Sequence, residues 1–582
     1  MGHDHLSIEV PDAQAQAAGP EWTTVAALVI ILTVALLLRV YQIGEQELWF
    51  DEAFSFHVAT LSSGLGQALR LENTPPLYYL LLRAWIPIAG TSEAAVRMVS
   101  AISSTLFVLA VFWAGMEFFN RRVALWSSLF AAIAPVQIYY AQEARAYALA
   151  AATVLAAHVL LWRALQRQTV LAWLAFCLVA LAALYTHYFT LIALLPTAVL
   201  VWAHAEGSRR REAWRAYGLA VLACALLYLP WLIWCFVLYS HPYDFAGWME
   251  EAWAFTPPSL AIPKSLEVQG LGSQAGAFPP FAKVFRALHF PPRLRVVGLG
   301  ALAMLGICAA VRWGDRALAI PRLKRLKVWL WTLLLFPLAV MWMLSFVKPS
   351  YIVGRQDILV SPAYALLVGF ALAKLQAAGR IGWVLTPVAV LALFIPIGVK
   401  LALYYQTASI KASPGEAQTA AALDQFVKNG DVVVLSGMRS LEVLYYLHRR
   451  GYRWEAGQCS AAAGSRQFGC RLLPLTYERS LGYDPRVNQR VSDSAGEISP
   501  GLLGTMDGQN GSLWMVLDAG AFAHSRTQEP EFLSVLADEL SQRGFALAET
   551  SIEGAPGILQ FRRPSNSGQS DPEKKNGLGK AP

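Results

Sequence analysis

Long apolar stretches recur from about residue 24 to about residue 405, separated by short polar connections. A membrane-spanning helix needs about 20 mostly apolar residues. Eleven stretches fit: roughly 24–42, 94–118, 122–140, 146–163, 170–186, 188–205, 216–238, 296–312, 328–346, 354–374 and 382–405. Every second connection between them is basic: Arg121-Arg122; Arg163 and Arg167; Arg209, Arg210 and Arg211 with Arg215; Arg312, Arg316, Arg322, Lys324, Arg325 and Lys327; then Lys374 and Arg380. Basic connections stay in the cytoplasm. The other set therefore faces outward: 43–93, 141–145, the turn at His187, 239–295, 347–353 and everything after about 405.

Beyond residue 405 the rhythm becomes that of a soluble domain. Helices are predicted over 417–428, 440–450 and 529–543, and strands over 431–435, 513–517, 545–552 and 557–562. Alternating strand and helix signals predict a small α/β domain. The expected fold is a polytopic α-helical membrane protein of about 11 spans with a C-terminal extracytoplasmic α/β domain. The expected division is a cytoplasmic tail at 1–23, a membrane domain at 24–405 with outward loops 43–93 and 239–295, the soluble domain at 406–564, and a polar, disordered tail at 565–582. The N-terminus lacks a basic n-region and a cleavage site close to the first span, so that span reads as a retained signal-anchor.

Composition supports this. Of 582 residues, 56% are hydrophobic and only 15% charged, whereas soluble domains carry about 25% charge. The net charge of +8 would suggest nucleic acid in a soluble protein. Here it reflects the cytoplasmic loops, and no nucleic-acid partner is expected; membrane lipids are. Cys177, Cys224, Cys235 and Cys308 lie within spans, where a thiol behaves as a small hydrophobe. Cys459 and Cys470, in the exported domain, suggest a disulfide, with two unpaired thiols as the alternative. No P-loop, GxSxG, HExxH or paired CxxC is present. No cofactor is indicated, and a divalent metal stays compatible with the sequence.

The chemistry-bearing residues cluster in outward connections. Glu47-Leu48-Trp49-Phe50-Asp51-Glu52 follows the first span. Two readings fit Asp51 and Glu52. Acids in a first helical turn are favoured by the helix dipole; equally, a carboxylate near an apolar surface beside a second negative charge is raised toward a useful general base. Thr74-Pro75-Pro76-Leu77-Tyr78-Tyr79 follows, where the tandem proline stops one helix and starts another. Gln142-Glu143-Ala144-Arg145-Ala146-Tyr147 forms the next outward turn, and His187 stands in another beside Tyr185 and Tyr188. Lys348, Tyr351 and Arg355 occupy the last. Arg355 could snorkel to the interface or clamp a phosphate with its planar guanidinium.

This order of motifs, with Arg97 near the start of the second span, resembles the GT-C glycosyltransferases of the glycosyltransferase family 39 type. These include dolichyl-phosphate-mannose protein mannosyltransferases, bacterial relatives acting on lipopolysaccharide core, and the lipid A aminoarabinose transferase. The resemblance covers about residues 24–405 and is specific to the superfamily, not to a substrate. It implies a GT-C fold and an inverting transfer of a hexose or pentose from a polyprenyl-phosphate donor to a lipid, glycan or protein acceptor. It implies Asp51 as base, with Glu52 beside it, and Glu143 as a second functional acid. Arg355 matches, by position, a family residue that contacts the donor phosphate. Arg145, Tyr147, His187, Lys348 and Tyr351 complete the expected donor site. The expected location is a prokaryotic inner or plasma membrane. A transporter or flippase of a lipid-linked sugar is the alternative; such proteins usually show internal repeats and broken mid-membrane helices, neither of which is visible in the sequence.

Overall fold

The computed structural model describes residues 21–60, 74–205, 209–235, 256–272, 291–312, 314–347, 351–407, 415–435, 439–455, 458–461, 467–472, 511–516, 538, 540–542, 544–549 and 558–562. The chain forms two compact units. One comprises residues 1–46 and 63–410, the other residues 47–62 and 411–582.

The first unit is the helical membrane domain. Among the described residues, eight helices are long and apolar enough to cross a membrane: Glu21–Val40, Glu93–Phe118, Tyr147–Arg167, Arg210–Ile233, Pro292–Ala310, Leu323–Leu344, Gln356–Gln376 and Gly379–Gln406. A ninth would be the pair Arg121–Ile133 and Pro135–Ala141, bent by 57°. The two remaining expected spans are shorter helices, Val170–Leu184 and Thr190–His204, the latter broken before Thr197 at Pro196. The turn around His187 divides them.

The bend follows from Pro135, which has no N–H and interrupts the ladder. The carbonyls freed at the end of Arg121–Ile133 need donors, because lipid offers none. Arg39, fully buried in the first span, supplies them. It donates to the carbonyls of Ala132 at 2.9 Å and Ala131 at 3.1 Å, and to Ser104 Oγ at 2.8 Å. Ser104 Oγ in turn donates to the carbonyl of Gln137 at 3.2 Å. Beyond the bend, Gln142 Nε2 donates to the carbonyls of Arg39 and Tyr41 at 3.1 and 2.7 Å, and Tyr404 donates to Gln142 Oε1 at 2.8 Å.

Helix Ser361–Gln376 is enclosed by protein on every side. A side chain at Gly369 would collide with Ser127, and one at Gly115 with the backbone of Ala124. Small residues at these crossings allow close backbone approach. The first contact fixes the helix that follows the Arg355 turn against the helix that leads to the Glu143 turn.

In the second unit a seven-stranded sheet is built from β1 (Val432–Leu435), β2 (Tyr452–Glu455), β3 (Gln458–Ala461), β4 (Gln467–Leu472), β5 (Ser512–Val516), β6 (Ala546–Glu549) and β7 (Ile558–Arg562). Its order is β2-β3-β4-β1-β5-β7-β6. β1 pairs in parallel with β4 and β5, and the outer pairings are antiparallel. Asp431 ties the centre together: its carboxylate accepts from Ser512 N at 2.7 Å, Trp514 Nε1 at 2.8 Å and Lys428 N at 2.9 Å. Helices Glu416–Phe426 and Arg439–Arg449 flank β1 in sequence. Most of the helix expected at 529–543 lies outside the described residues, as do the side chains of Cys459 and Cys470. The four span cysteines are free thiols.

One boundary differs from the sequence expectation. The loop 43–93 was assigned whole to the membrane domain, yet residues 47–62 pack into the second unit. Helix Phe50–Thr60 buries Ala53, Phe56, Val58 and Ala59. That apolar face requires a partner. Helix Arg439–Arg449 provides it, with Phe56 edge-on to Tyr445 at 4.9 Å and to His448 at 5.2 Å. Leu48 N also donates to Tyr446 Oη at 3.1 Å.

Candidate active site

Within the membrane unit three turns meet at one end of the helices. Tyr147, opening helix Tyr147–Arg167, is their hub. Arg355 Nε donates to its hydroxyl at 2.6 Å, and the guanidinium lies 5.7 Å from its ring centre. His187 approaches the same ring at 5.7 Å and Tyr140 at 4.9 Å. The Tyr140 hydroxyl donates to the carbonyl of Gly354, tying the 351–357 turn to the helix end that precedes Glu143. Gly354 has φ +83°, and its N–H donates to Asp357 Oδ2 at 2.9 Å. This left-handed turn, natural for glycine, aims the next residue, Arg355.

Arg145 joins the group from the side of the double proline. Its Nη1 lies 3.4 Å from Tyr79 Oη, and its carbonyl accepts from Ser100 Oγ at 3.1 Å. Leu77 N donates to the carbonyl of Tyr185 at 2.9 Å, joining this segment to the His187 turn. His187 is held neutral: burial first, then the positive charges of Arg145 and Arg355, lower its pKa from 6.5 to about 3. Its Nδ1 accepts from Phe189 N at 3.2 Å. A neutral imidazole whose Nδ1 accepts must carry its proton on Nε2. The end of the unit thus gathers two guanidiniums, three phenols and an imidazole donor, a set suited to an anion.

Glu143 is buried in the turn, within electrostatic range of Tyr140, and its carbonyl accepts from Arg145 N at 2.7 Å. Tyr351 is directed elsewhere: its hydroxyl bonds Ser265 Oγ and lies 3.5 Å from the carbonyl of Ala261 on helix Pro258–Leu271. Lys348 lies outside the described residues. So of the expected donor-site residues, Arg145, Tyr147, His187 and Arg355 come together. Tyr79 and Tyr140 join them unforeseen, although Tyr79 closes the double-proline motif and Tyr140 stands two residues before Gln142.

Asp51 and Glu52 belong to the second unit, in the first turn of helix Phe50–Thr60. Glu52 is fully buried and faces back along the helix, with Trp49 N 3.4 Å from its Oε2. That is the carboxylate half of a capping box. Asp51 is half-buried, and its carbonyl accepts from Ser55 Oγ at 2.9 Å. Glu47, just ahead, caps a different helix: its Oε2 accepts from Glu416 N at 3.0 Å and Gly415 N at 3.3 Å. Among the described residues no three His, Cys, Asp or Glu side chains are grouped to hold a metal.

Residues 73–234 match the family described as dolichyl-phosphate-mannose-protein mannosyltransferase. Over nearly the whole chain the fold is similar to apo ArnT from Cupriavidus metallidurans, at 14% identity and a TM-score of 0.52, covering 93% of this chain and 98% of that one. The chain has the GT-C fold of these membrane glycosyltransferases. It is similar also to the ArnT structure bound to undecaprenyl phosphate, at 14% identity and TM-score 0.51, covering 95% of this chain and 100% of that one. A third similar structure is the apo oligosaccharyltransferase of Archaeoglobus fulgidus, at 12% identity and TM-score 0.53, covering 90% and 73%. No curated protein matches the sequence. The family match falls on the Tyr79, Arg145, Tyr147 and His187 segments, and ends before Arg355.

Proposed function

We propose that this integral membrane protein transfers a hexose or pentose from a polyprenyl-phosphate donor to an acceptor hydroxyl on a lipid, glycan or protein. The observation that carries the reading is the convergence of Arg145 and Arg355 on the neutral, proton-donating His187, with Tyr147 between His187 and Arg355. Such donors stabilise the charge that builds on a departing phosphate. A protein of the same fold has been captured with undecaprenyl phosphate, which supports the donor class. Alternation of basic connections supports an outward-facing reaction.

In this scheme Asp51 takes the acceptor's hydroxyl proton as its oxygen attacks the anomeric carbon. The new carbon–oxygen bond forms as the bond to the phosphate oxygen breaks, with inversion, and polyprenyl phosphate leaves with the bonding electrons. Glu52 positions the turn, since its carboxylate faces the Trp49 N–H. Glu143 stands beside the donor-binding arginines as a second acid. Replacing Asp51 with Asn tests this. Transfer should fall at least about a hundredfold while binding of polyprenyl phosphate persists. Undiminished transfer would remove Asp51 from the role of base.

A further inference from the structure

The cationic groups at the opposite, basic end of the membrane unit are not absorbed by the reaction. There the turn between helices Pro292–Ala310 and Leu323–Leu344 borders a groove of about 1410 Å³. Arg312, Arg316 and Lys324 line one part of it, and Trp331, Leu335 and Phe336 another. The three cationic residues are exposed, and among the described residues none of them is paired with a carboxylate. The one acid of the turn, Asp315, is already committed: Lys327 reaches it at 3.0 Å and the fully buried Lys374 at 2.7 Å.

The charge is misplaced for the helix alone. Helix Leu323–Leu344 opens with Lys324 and Arg325, has no acid in its first turn, and its N-cap, Arg322, forms no side-chain cap. Cations at that end oppose the helix dipole. The turn also holds Ala319 and Arg322 at positive φ, 48° and 56°, which side-chain-bearing residues rarely adopt. A bound anion offsets the accumulated charge, and the apolar wall beside the cations continues along the helix in the direction of the membrane interior. That combination fits a molecule with an anionic head and hydrocarbon chains.

We propose that this groove is a binding site for an anionic glycerophospholipid of the inner leaflet, its phosphate held by Arg312, Arg316 and Lys324 and its chains against Trp331, Leu335 and Phe336. Basic pockets between helices on the cytoplasmic side favour such headgroups. The site lies at the end of the helices away from the Tyr147 cluster and does not depend on the reaction assigned there.

The test uses the full chain in detergent, with phosphatidylglycerol and phosphatidylcholine of equal chain length as probes and native mass spectrometry as readout. Phosphatidylglycerol should be retained selectively. The triple variant Arg312→Gln/Arg316→Gln/Lys324→Gln should bind it roughly a hundredfold more weakly. A control, Arg122→Gln/Arg167→Gln, removes two exposed cations of other basic connections and should bind normally. Equal retention of the two lipids, an unaffected triple variant, or equal loss in the control would each overturn the proposal. So would full displacement by glycerol phosphate at concentrations matching the lipid, which would reduce the site to a headgroup site. Trp331→Ala gives an independent check on the chain contact and should weaken the lipid without changing capture of glycerol phosphate.

Discussion

The two units differ in the mix of charges they bury and in the backbone groups those charges serve. In the membrane unit buried acids (Glu143, Glu267 and Asp357) stand beside buried cations, and those cations are spent largely on carbonyls. Arg39 serves the helix end at the Pro135 bend, Arg97 the carbonyls of Ile43 and Gln46, and Lys374 those of Cys308 and Val311. In the second unit the buried charges among the described residues are carboxylates, and buried Glu52 and Asp431, with half-buried Glu47, are spent on N–H groups. Glu47 serves the start of one helix, Glu52 the start of another, and Asp431 the centre of the sheet. Helix ends expose carbonyls and helix starts expose N–H groups, so the sign of each of these charges follows the backbone groups it completes. A buried charge is therefore weak evidence of function. Arg355, which donates to a phenol beside a second guanidinium, and half-buried Asp51 depart from the pattern of their units.

The sharpest break of this comparison sets Arg355 against Arg39. Replacing Arg355 with Ala should lower transfer about a hundredfold to a thousandfold, or about 3 to 4 kcal/mol in the barrier, with little change in thermal stability. Replacing Arg39 with Met should do the reverse. It strands the Ala131 and Ala132 carbonyls, each costing about 1 to 3 kcal/mol, while the folded fraction transfers normally. Paired measurement of turnover per folded molecule and melting temperature decides. A shared phenotype would mean the two arginines act alike.

The second unit should resist a cation buried at position 57. His57 tests this. Burial first, then the nearby His448, lowers its pKa from 6.5 to about 4. His448 is itself lowered by burial and by Arg453. The unfolded chain protonates His57 near 6.5 and the folded unit near 4, so the unfolded state binds more protons in that interval. Stability contributed by neutral His57 is complete above pH 6.5 and is lost as pH falls toward 4, by up to about 3 kcal/mol. Unfolding midpoints at pH 7.5, 5.5 and 4.5 should fall less steeply for His57→Gln than for the parent chain. Parallel slopes would count against the assignment.

Much of the membrane unit was legible because lipid imposes one rule on sequence: about 20 apolar residues per crossing, with basic connections on one side. The turns bearing Arg145, His187 and Arg355 followed from that alternation, and their meeting at Tyr147 agrees with it. The partition of residues 47–62 was not legible. Phe56, on the buried face of helix Phe50–Thr60, packs on Tyr445, which lies almost 400 positions away in the sequence. β2, β3 and β4 also escaped notice, since Gln458–Ala461 and Gln467–Leu472 mix polar and small residues and lack the β-branched runs that marked β1. Arg39 escaped because a charge near the end of an apolar stretch reads as a boundary. Its role needs the bend at Pro135, almost 100 residues later.

The smallest expected effect concerns Glu47, and it separates the two acids that the sequence placed five positions apart from the one between them in role. Gly415 N and Glu416 N are among the donors that a helix start leaves unpaired, and Glu47 takes both. Its removal should therefore cost about what loss of an N-cap costs, about 1 kcal/mol. Glu47→Gln keeps an acceptor oxygen and should fall between Ala and the parent. Because the contact ties the start of the 47–62 segment to helix Glu416–Phe426, the Ala variant should also cut faster at Leu48 and Trp49 under limited proteolysis. Its transfer per folded molecule should stay near normal, unlike Asp51→Asn. An Ala variant that is as stable and as protected as the parent would show that water replaces the carboxylate at that helix start. In that case packing of Phe56 on Tyr445, not charge, holds the segment in place.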